Sequence, residues 1–384
     1  MKPESGKLPW DNHPSKPWED LPGRVSQAKL EDAIERSGYP FQALVSDQIR
    51  QILGSSARIQ EEWPFVDRES GQVRSTDIFA QIPLAAEQLR NSALMDKKVR
   101  PVLNLLVECK KSELPYVFFM RKTAPSSAYT FPEVAGLPST DIIFDSVDES
   151  GKPIRDDVDC AISLHDSLGF YQFPFFGMPH GFVSVSLAKA TEKGGKVELS
   201  GEDVYRSLAL PLFKAADFVK ESVTPTRDQA VFDCHFVVCL AVVRAPMFGA
   251  LAHDGDFGVT SAPWFRACRI EPKIDLGGVE EGHVRYFDVV HDSFLEQYLS
   301  ELRHSFESAA SRVLRHNEII ASGKGIWRHS EDPATAKDLH ECIFPYTEGP
   351  ERSEDRKEPQ YRVRISHSMP RYTYTTSKLE TQDP

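Results

Sequence analysis

The hydrophobic positions of this 384-residue chain change period several times along its length. Leu30, Ala33 and Ile34 recur at helical spacing, and Gly38-Tyr39-Pro40 then interrupts the pattern. Pro40 suits the first turn of a second helix. Phe41, Leu44, Val45, Ile49, Ile52 and Leu53 keep the 3.6-residue period up to Gly54, which predicts a helix over 41–53. Strand patterns follow. Residues 57–66 (ARIQEEWPFV) mix apolar and charged positions as a partly exposed strand does, 67–71 (DRESG) reads as a turn, and 73–82 (VRSTDIFAQI) as the next strand. Residues 84–95 read as a short helical insertion. Residues 102–109 (VLNLLVEC) form a nearly continuous apolar run, as expected of a strand in the middle of a sheet. A further strand covers 115–121.

Residues 123–200 are rich in Pro, Gly and Ser and predict an insertion of irregular structure. Its aromatic run, Phe170 to Phe176, reads as local core rather than as a surface for stacking bases. A helix over 203–219, bent or started near Pro211, precedes the second strongly apolar strand at 231–243. A strand at 284–290 and an amphipathic helix at 293–314 complete the pattern. The organisation expected is a Pro/Trp-rich arm (1–26), the first part of an α/β core (27–122), an insertion (123–200), the completion of the core sheet with a C-terminal helix (201–325) and a polar tail (326–384). Both ends are expected to be poorly ordered.

Composition narrows the function. With 40% hydrophobic residues the chain can bury a sizeable core, which excludes wholesale disorder. No apolar run approaches the ~20 residues of a membrane-spanning helix, and Met1-Lys2-Pro3-Glu4-Ser5 opens no apolar signal segment. The six Cys are scattered without a CxxC pair, which argues against a zinc ribbon and a disulfide scaffold. A cytoplasmic protein with reduced thiols is expected. There are 45 Lys+Arg and 57 Asp+Glu, a net charge of −12. That balance opposes non-specific coating of nucleic acid but permits a local basic groove. Residues 96–122 supply one, with seven basic and three acidic side chains.

Candidate chemistry concentrates in the same stretch. Glu108 and Lys110 end the apolar strand on one face, while Cys109 points to the other. An antiparallel neighbour could bring Asp77 against the same face. Two carboxylates close together repel, and burying either is costly unless it is paired. A divalent cation resolves the conflict. Mg²⁺ takes one or two carboxylates with water and substrate phosphate, and the Cys109 carbonyl lies between the two side chains as a further ligand. Lys110 would orient or deprotonate the attacking water or balance phosphate charge. Carboxylates more than about 8 Å apart could not share an ion whose ligands sit near 2 Å.

Asp77 followed by Glu108-Cys109-Lys110 resembles the Asp…(Asp/Glu)-X-Lys signature of the PD-(D/E)XK nuclease superfamily. The surrounding order of a helix, three strands, and a later helix and strand is similar to its fold. Tyr39-Pro40-Phe41-Gln42 to Gly54 resembles the first helix of the Mrr-like restriction nucleases and Holliday-junction resolvases, and Glu61-Glu62-Trp63-Pro64-Phe65 with Arg74-Ser75-Thr76-Asp77 resembles their first hairpin. The resemblance covers residues 28–122 and, more weakly, 203–250. It implies a restriction-endonuclease-like mixed sheet flanked by helices. It also implies a Mg²⁺- or Mn²⁺-dependent DNA endonuclease acting in restriction, anti-phage defence or repair. Asp77 and Glu108 would hold the metal with the Cys109 carbonyl, Lys110 would act on water, and Lys97, Lys98, Arg100 and Lys111 would contact the DNA backbone. Thr76 replaces the usual Pro. Gln42 stands where many relatives carry a metal-binding Glu, which favours one metal over two and leaves Gln42 and Glu62 as supporting residues. The same resemblance accommodates a nuclease-like module that binds nucleic acid or protein without cleaving. DNA is the expected partner, with RNA left open and no membrane. A homodimer would supply one site for each strand.

Overall fold

The computed structural model describes residues 26–85, 99–122, 131–147, 160–170, 173–226, 229, 231–253, 256–275, 278–328, 361–368 and 371–378. The Pro/Trp-rich arm, most of the expected helix at 84–95 and most of the polar tail lie outside them. Helix α1 (Gln27–Arg36) starts at Ser26, whose side chain accepts from the Lys29 N–H. Helix α2 (Tyr39–Leu53) has Pro40 in its first turn and ends at Gly54, whose φ of 89° suits a residue without Cβ. A three-strand antiparallel unit follows, β1 (Arg58–Val66), β2 (Val73–Pro83) and β3 (Val99–Lys111). Next come β4 (Tyr116–Arg121), β5 (Glu133–Ala135), β6 (Asp141–Val147), β7 (Cys160–Ser163), α3 (Leu164–Ser167), β8 (Val183–Lys193) and β9 (Lys196–Ser200). Helix α4 (Leu210–Ser222) is preceded by a π-helical turn, Tyr205–Ala209. The remaining elements are β10 (Phe232–Arg244), β11 (Met247–His253), β12 (Asp256–Ser261), β13 (Trp264–Asp275), β14 (Gly278–His291), α5 (Leu295–Arg315), α6 (Asn317–Ser322), β15 (Lys324–Arg328), β16 (Tyr361–Ser368) and β17 (Arg371–Lys378).

The chain is a mixed α/β protein built on one large mixed sheet. Its strands run β1-β2-β3-β10-β14-β13-β8-β4-β11-β12, with β5 also on β10 and β9 on β8. Strand β10 lies parallel to β3 along its whole length, from Phe232↔Val99 to Arg244↔Lys111. It also lies parallel to β14. Both β3 and β10 are covered on two faces, which is why they read as unbroken apolar runs. One face carries Phe41, Val45 and Ile49 of α2, Phe170 and Phe176, and Tyr298, Leu302 and Phe306 of α5. The other carries Leu212, Phe213 and Ala216 of α4. The aromatic run is core, as expected: Phe170 and Phe176 are almost completely buried.

The stretch 123–200 is not a separate insertion. Strand β8 enters the main sheet between β13 and β4, and β5 pairs with β10. The partners that carry β5 and β8 into the main sheet are remote in sequence, so no local pattern announced them. Two charged positions inside strands proved to be core: Arg266 and Asp288 are fully buried and pair through two nitrogens, at 2.7 and 2.8 Å. Arg266 also donates to the Phe175 and Gly177 carbonyls, which fastens the aromatic run to the sheet. In the tail, β16 and β17 pair antiparallel, which the polar composition did not suggest. Among the described residues no helix is long and apolar enough to cross a membrane.

Candidate active site

The β2–β3 ladder runs from Pro83↔Val102 to Ile78↔Val107. Beyond that step side chains take over from the backbone. Thr76 Oγ1 donates to the Val107 carbonyl at 3.0 Å. The Cys109 N–H donates to Asp77 Oδ2 at 2.6 Å. A residue in a strand sends its N–H and its C=O to the same edge. The Cys109 carbonyl therefore faces the edge on which Asp77 sits. On the other side of Asp77, Glu62 interrupts β1 between the pairs Glu61↔Ile78 and Trp63↔Thr76. It adopts a φ of 48°, a conformation that costs a non-glycine residue free energy and often marks a functional site. Glu62 is exposed and level with Asp77 in the register.

Lys110 joins the two carboxylates. Its Nζ donates to Glu108 Oε2 at 2.8 Å and lies 3.8 Å from Asp77 Oδ2. Those two oxygens can therefore be no more than ~6.6 Å apart, the sum of the two legs. That bound lies within the ~8 Å beyond which the two carboxylates could not share an ion, and it allows the ~4 Å that two oxygens on one ion require. Glu108 is only 4% exposed. Burial pushes its carboxyl up to about 7; the Lys110 ammonium opposes the rise and the Asp77 charge adds to it. Burial alone would pull Lys110 down, but Glu108 and Asp77 outweigh it and hold the amine above its ordinary value. Lys110 is thus an ammonium. Cys109 is buried among core residues on the opposite face, and burial with the two nearby carboxylates keeps its thiol protonated.

Gln42 reaches this centre from α2. It is 5% exposed, and its Nε2 donates to the backbone carbonyl of Asp77 at 2.9 Å. Gln42 supports the strand that presents Asp77. Asp77, Glu108, the Cys109 carbonyl and Lys110 thus come together, with Gln42 behind them and Glu62 at the rim.

The basic residues separate. Lys111 follows Lys110 on the exposed end of β3, where its Nζ is 3.3 Å from the Glu35 carbonyl. Arg100 sits eight residues before Glu108, near the start of β3 and ~26 Å from it along the strand at about 3.3 Å per residue. It is tied to Asp233 through two hydrogen bonds, so it is remote from the site and already paired. Lys97 and Lys98 fall outside the described residues. A residue that the sequence reading passed over, Arg244, ends β10 beside Lys111. Its signal was available, since a basic residue closes the second apolar strand just as Lys110 and Lys111 close the first.

Among the described residues no group of three or more His, Cys, Asp or Glu side chains is arranged to hold a metal ion. The donor set at this centre is two carboxylates and one carbonyl, all hard oxygens. No family model, curated protein or solved structure matches the chain.

Proposed function

We propose that the protein is a metal-dependent DNA endonuclease with a restriction-endonuclease-like core, serving restriction, anti-phage defence or repair. One observation carries the reading: Asp77, Glu108 and Lys110 converge where the β2–β3 ladder gives way to side-chain hydrogen bonds. The order α2, antiparallel β1–β2–β3, α4, and β10 parallel to β3 supports the same core.

The donor chemistry fits Mg²⁺ or Mn²⁺, which take carboxylate and carbonyl oxygens and keep several waters. Asp77, Glu108 and the Cys109 carbonyl would hold it. Two carboxylates, one of them buried and raised to about 7, are an arrangement that a cation relieves. With Gln42 spent on the Asp77 backbone, a single ion suits the site better than two. When bound, the ion polarises a phosphoryl oxygen and lowers the pKa of water. Lys110, kept as an ammonium, orients the attacking water and offsets charge that builds on the phosphate. In its resting state it has no free electron pair with which to accept a proton. Gln42 and the Cys109 N–H fix Asp77 from two sides, so the carboxylate needs no reorganisation.

Gln42 also favours a second reading, a nuclease-like module that binds nucleic acid or protein without cleaving, because its amide offers no charge to a metal. Calorimetric titration with Mn²⁺ at pH 8, with and without DNA, tests the site. One ion per chain in the native protein and none in Asp77→Asn is expected. Absence of divalent-ion binding even with DNA present overturns the endonuclease reading.

A further inference from the structure

The first residue of β4 carries a hydroxyl that the proposed chemistry has not used. After Lys111 the chain passes the end of β10 and returns to the sheet beside β11. The Ser112 N–H donates to the Arg244 carbonyl at 3.1 Å, and the Tyr116 N–H to the Pro246 carbonyl at 2.9 Å. Lys110 is level with Val243, and Tyr116 with Met247 four residues on. Leu106, Tyr116, Val243, Ala245 and Met247 share one buried cluster. Alternation from Leu106 puts Glu108 and Lys110 on that same face of β3. Tyr116 and Lys110 therefore point to one side of the sheet, close to the end of β3. Burial raises the Tyr116 hydroxyl above its ordinary value, and the Lys110 ammonium is the charge that opposes the rise. Tyr116 is thus a protonated donor at neutral pH. The residue is only 3% exposed, yet its hydroxyl has no hydrogen-bond partner among the described residues and is not sealed from solvent. Lys189 stands opposite Tyr116 in the β4–β8 ladder, on the same face, with its Nζ 5.9 Å from the centroid of the Tyr116 ring. Lys189 is half-buried and has no carboxylate partner among the described residues.

We infer that the Tyr116 hydroxyl donates a hydrogen bond to the DNA phosphate bound at Lys110, and that Lys189, across the Tyr116 ring, pairs with backbone charge on the same strand. The inference rests on the endonuclease reading and extends the site from β2 and β3 to β4 and β8. A buried ring holds the phenol in place while its tip stays free, so the donor is oriented before the phosphate arrives. The two residues differ in charge, which lets one set of measurements separate them.

Binding of a short labelled DNA duplex, measured by fluorescence anisotropy in EDTA over a range of salt concentrations, is combined with single-turnover cleavage in Mn²⁺, all on the full chain. Lys189→Ala should lower the slope of log K against log salt by about one, the loss expected for one phosphate contact. Tyr116→Phe removes no charge and should leave that slope unchanged, but should slow cleavage about ten- to a hundredfold, the loss of a hydrogen bond to a charged group. Its urea midpoint and its calorimetric Mn²⁺ affinity should match the native protein, because the hydroxyl holds nothing in the fold and no metal. Tyr116→Phe that cuts within about twofold of the native protein, or that loses rate together with its urea midpoint or Mn²⁺ affinity, overturns the inference alone. So does an unchanged salt slope in Lys189→Ala. Native protein that neither binds nor cuts DNA overturns the endonuclease reading with it.

Discussion

Replacing Glu108 by Gln should make the metal-free protein more stable while destroying its proposed activity. The ionised Glu108 side chain is buried, and its carboxyl is raised from 4.5 to about 7. Each pH unit of such a rise is about 1.4 kcal/mol between the two protonation states. The attraction to Lys110 is already contained in that value. A raised acid contributes its stability below pH 4.5 and loses it as pH climbs through 7. Ionised Glu108 therefore costs the empty fold ~3 kcal/mol at pH 8. Gln has the same shape and no charge to desolvate. Urea unfolding in EDTA should show Glu108→Gln more stable than the native protein by ~2–3 kcal/mol at pH 8 and nearly equal to it at pH 5. Saturating Mg²⁺ should close the gap, because an ion at a hundred times its Kd adds about 2.7 kcal/mol to the protein that binds it. A Gln variant that is no more stable at pH 8 than at pH 5, relative to the native protein, refutes the reasoning.

Three further outcomes follow from the same geometry. Because the metal needs an ionised Glu108, Mn²⁺ affinity measured by calorimetry should fall towards tenfold per pH unit below about 7 and level off above it; an affinity flat from pH 5.5 to 8 contradicts Glu108 as a ligand. Gln42→Leu leaves the partly buried Asp77 carbonyl without its partner, so denaturant midpoints should register ~1–2 kcal/mol of lost stability, and metal affinity should fall with it. Away from the site, Arg285 is buried between Glu133, Asp217 and Glu271. Burial would raise Glu133, but Arg285 and Lys220 outweigh it and hold the carboxyl near 2. That contribution is present above pH 4.5 and vanishes as pH falls through 2. Glu133→Ala should cost ~1.5–3 kcal/mol at neutral pH, because it removes one of the three carboxylates that pair the buried guanidinium, and the deficit should shrink in acid.

The residues that converge at the candidate site were legible because each sits in or beside a strongly periodic element. Helix α2 announced itself through Phe41, Val45 and Ile49, and β3 and β10 through apolar runs that only strands buried on both faces carry. Alternation then placed Glu108 and Lys110 on one side and Cys109 on the other. Half of the sheet was not legible. Strands β8 and β11 join the sheet through β13 and β4, partners far away in sequence, and β13 hides a buried cation, Arg266, whose charge reads as a surface position until Asp288 is found beside it. The same limit misplaced Arg100. A count of basic residues along 96–122 cannot see that the strand carries Arg100 to the opposite end of the sheet and sets Asp233 next to it. Arg244 lies 133 residues from Lys111 and stands beside it only because β10 runs parallel to β3 in that register.

The central claim, metal-dependent phosphodiester hydrolysis, is tested most directly by incubating the purified protein with supercoiled and linear DNA, unmodified, methylated or branched. Mg²⁺, Mn²⁺ or EDTA would be supplied, and Lys110→Ala run in parallel. The account predicts nicking or cutting that requires the divalent ion and disappears in the variant. Folded protein that leaves every one of these substrates intact with either metal, or cuts equally well in EDTA or without Lys110, would contradict it.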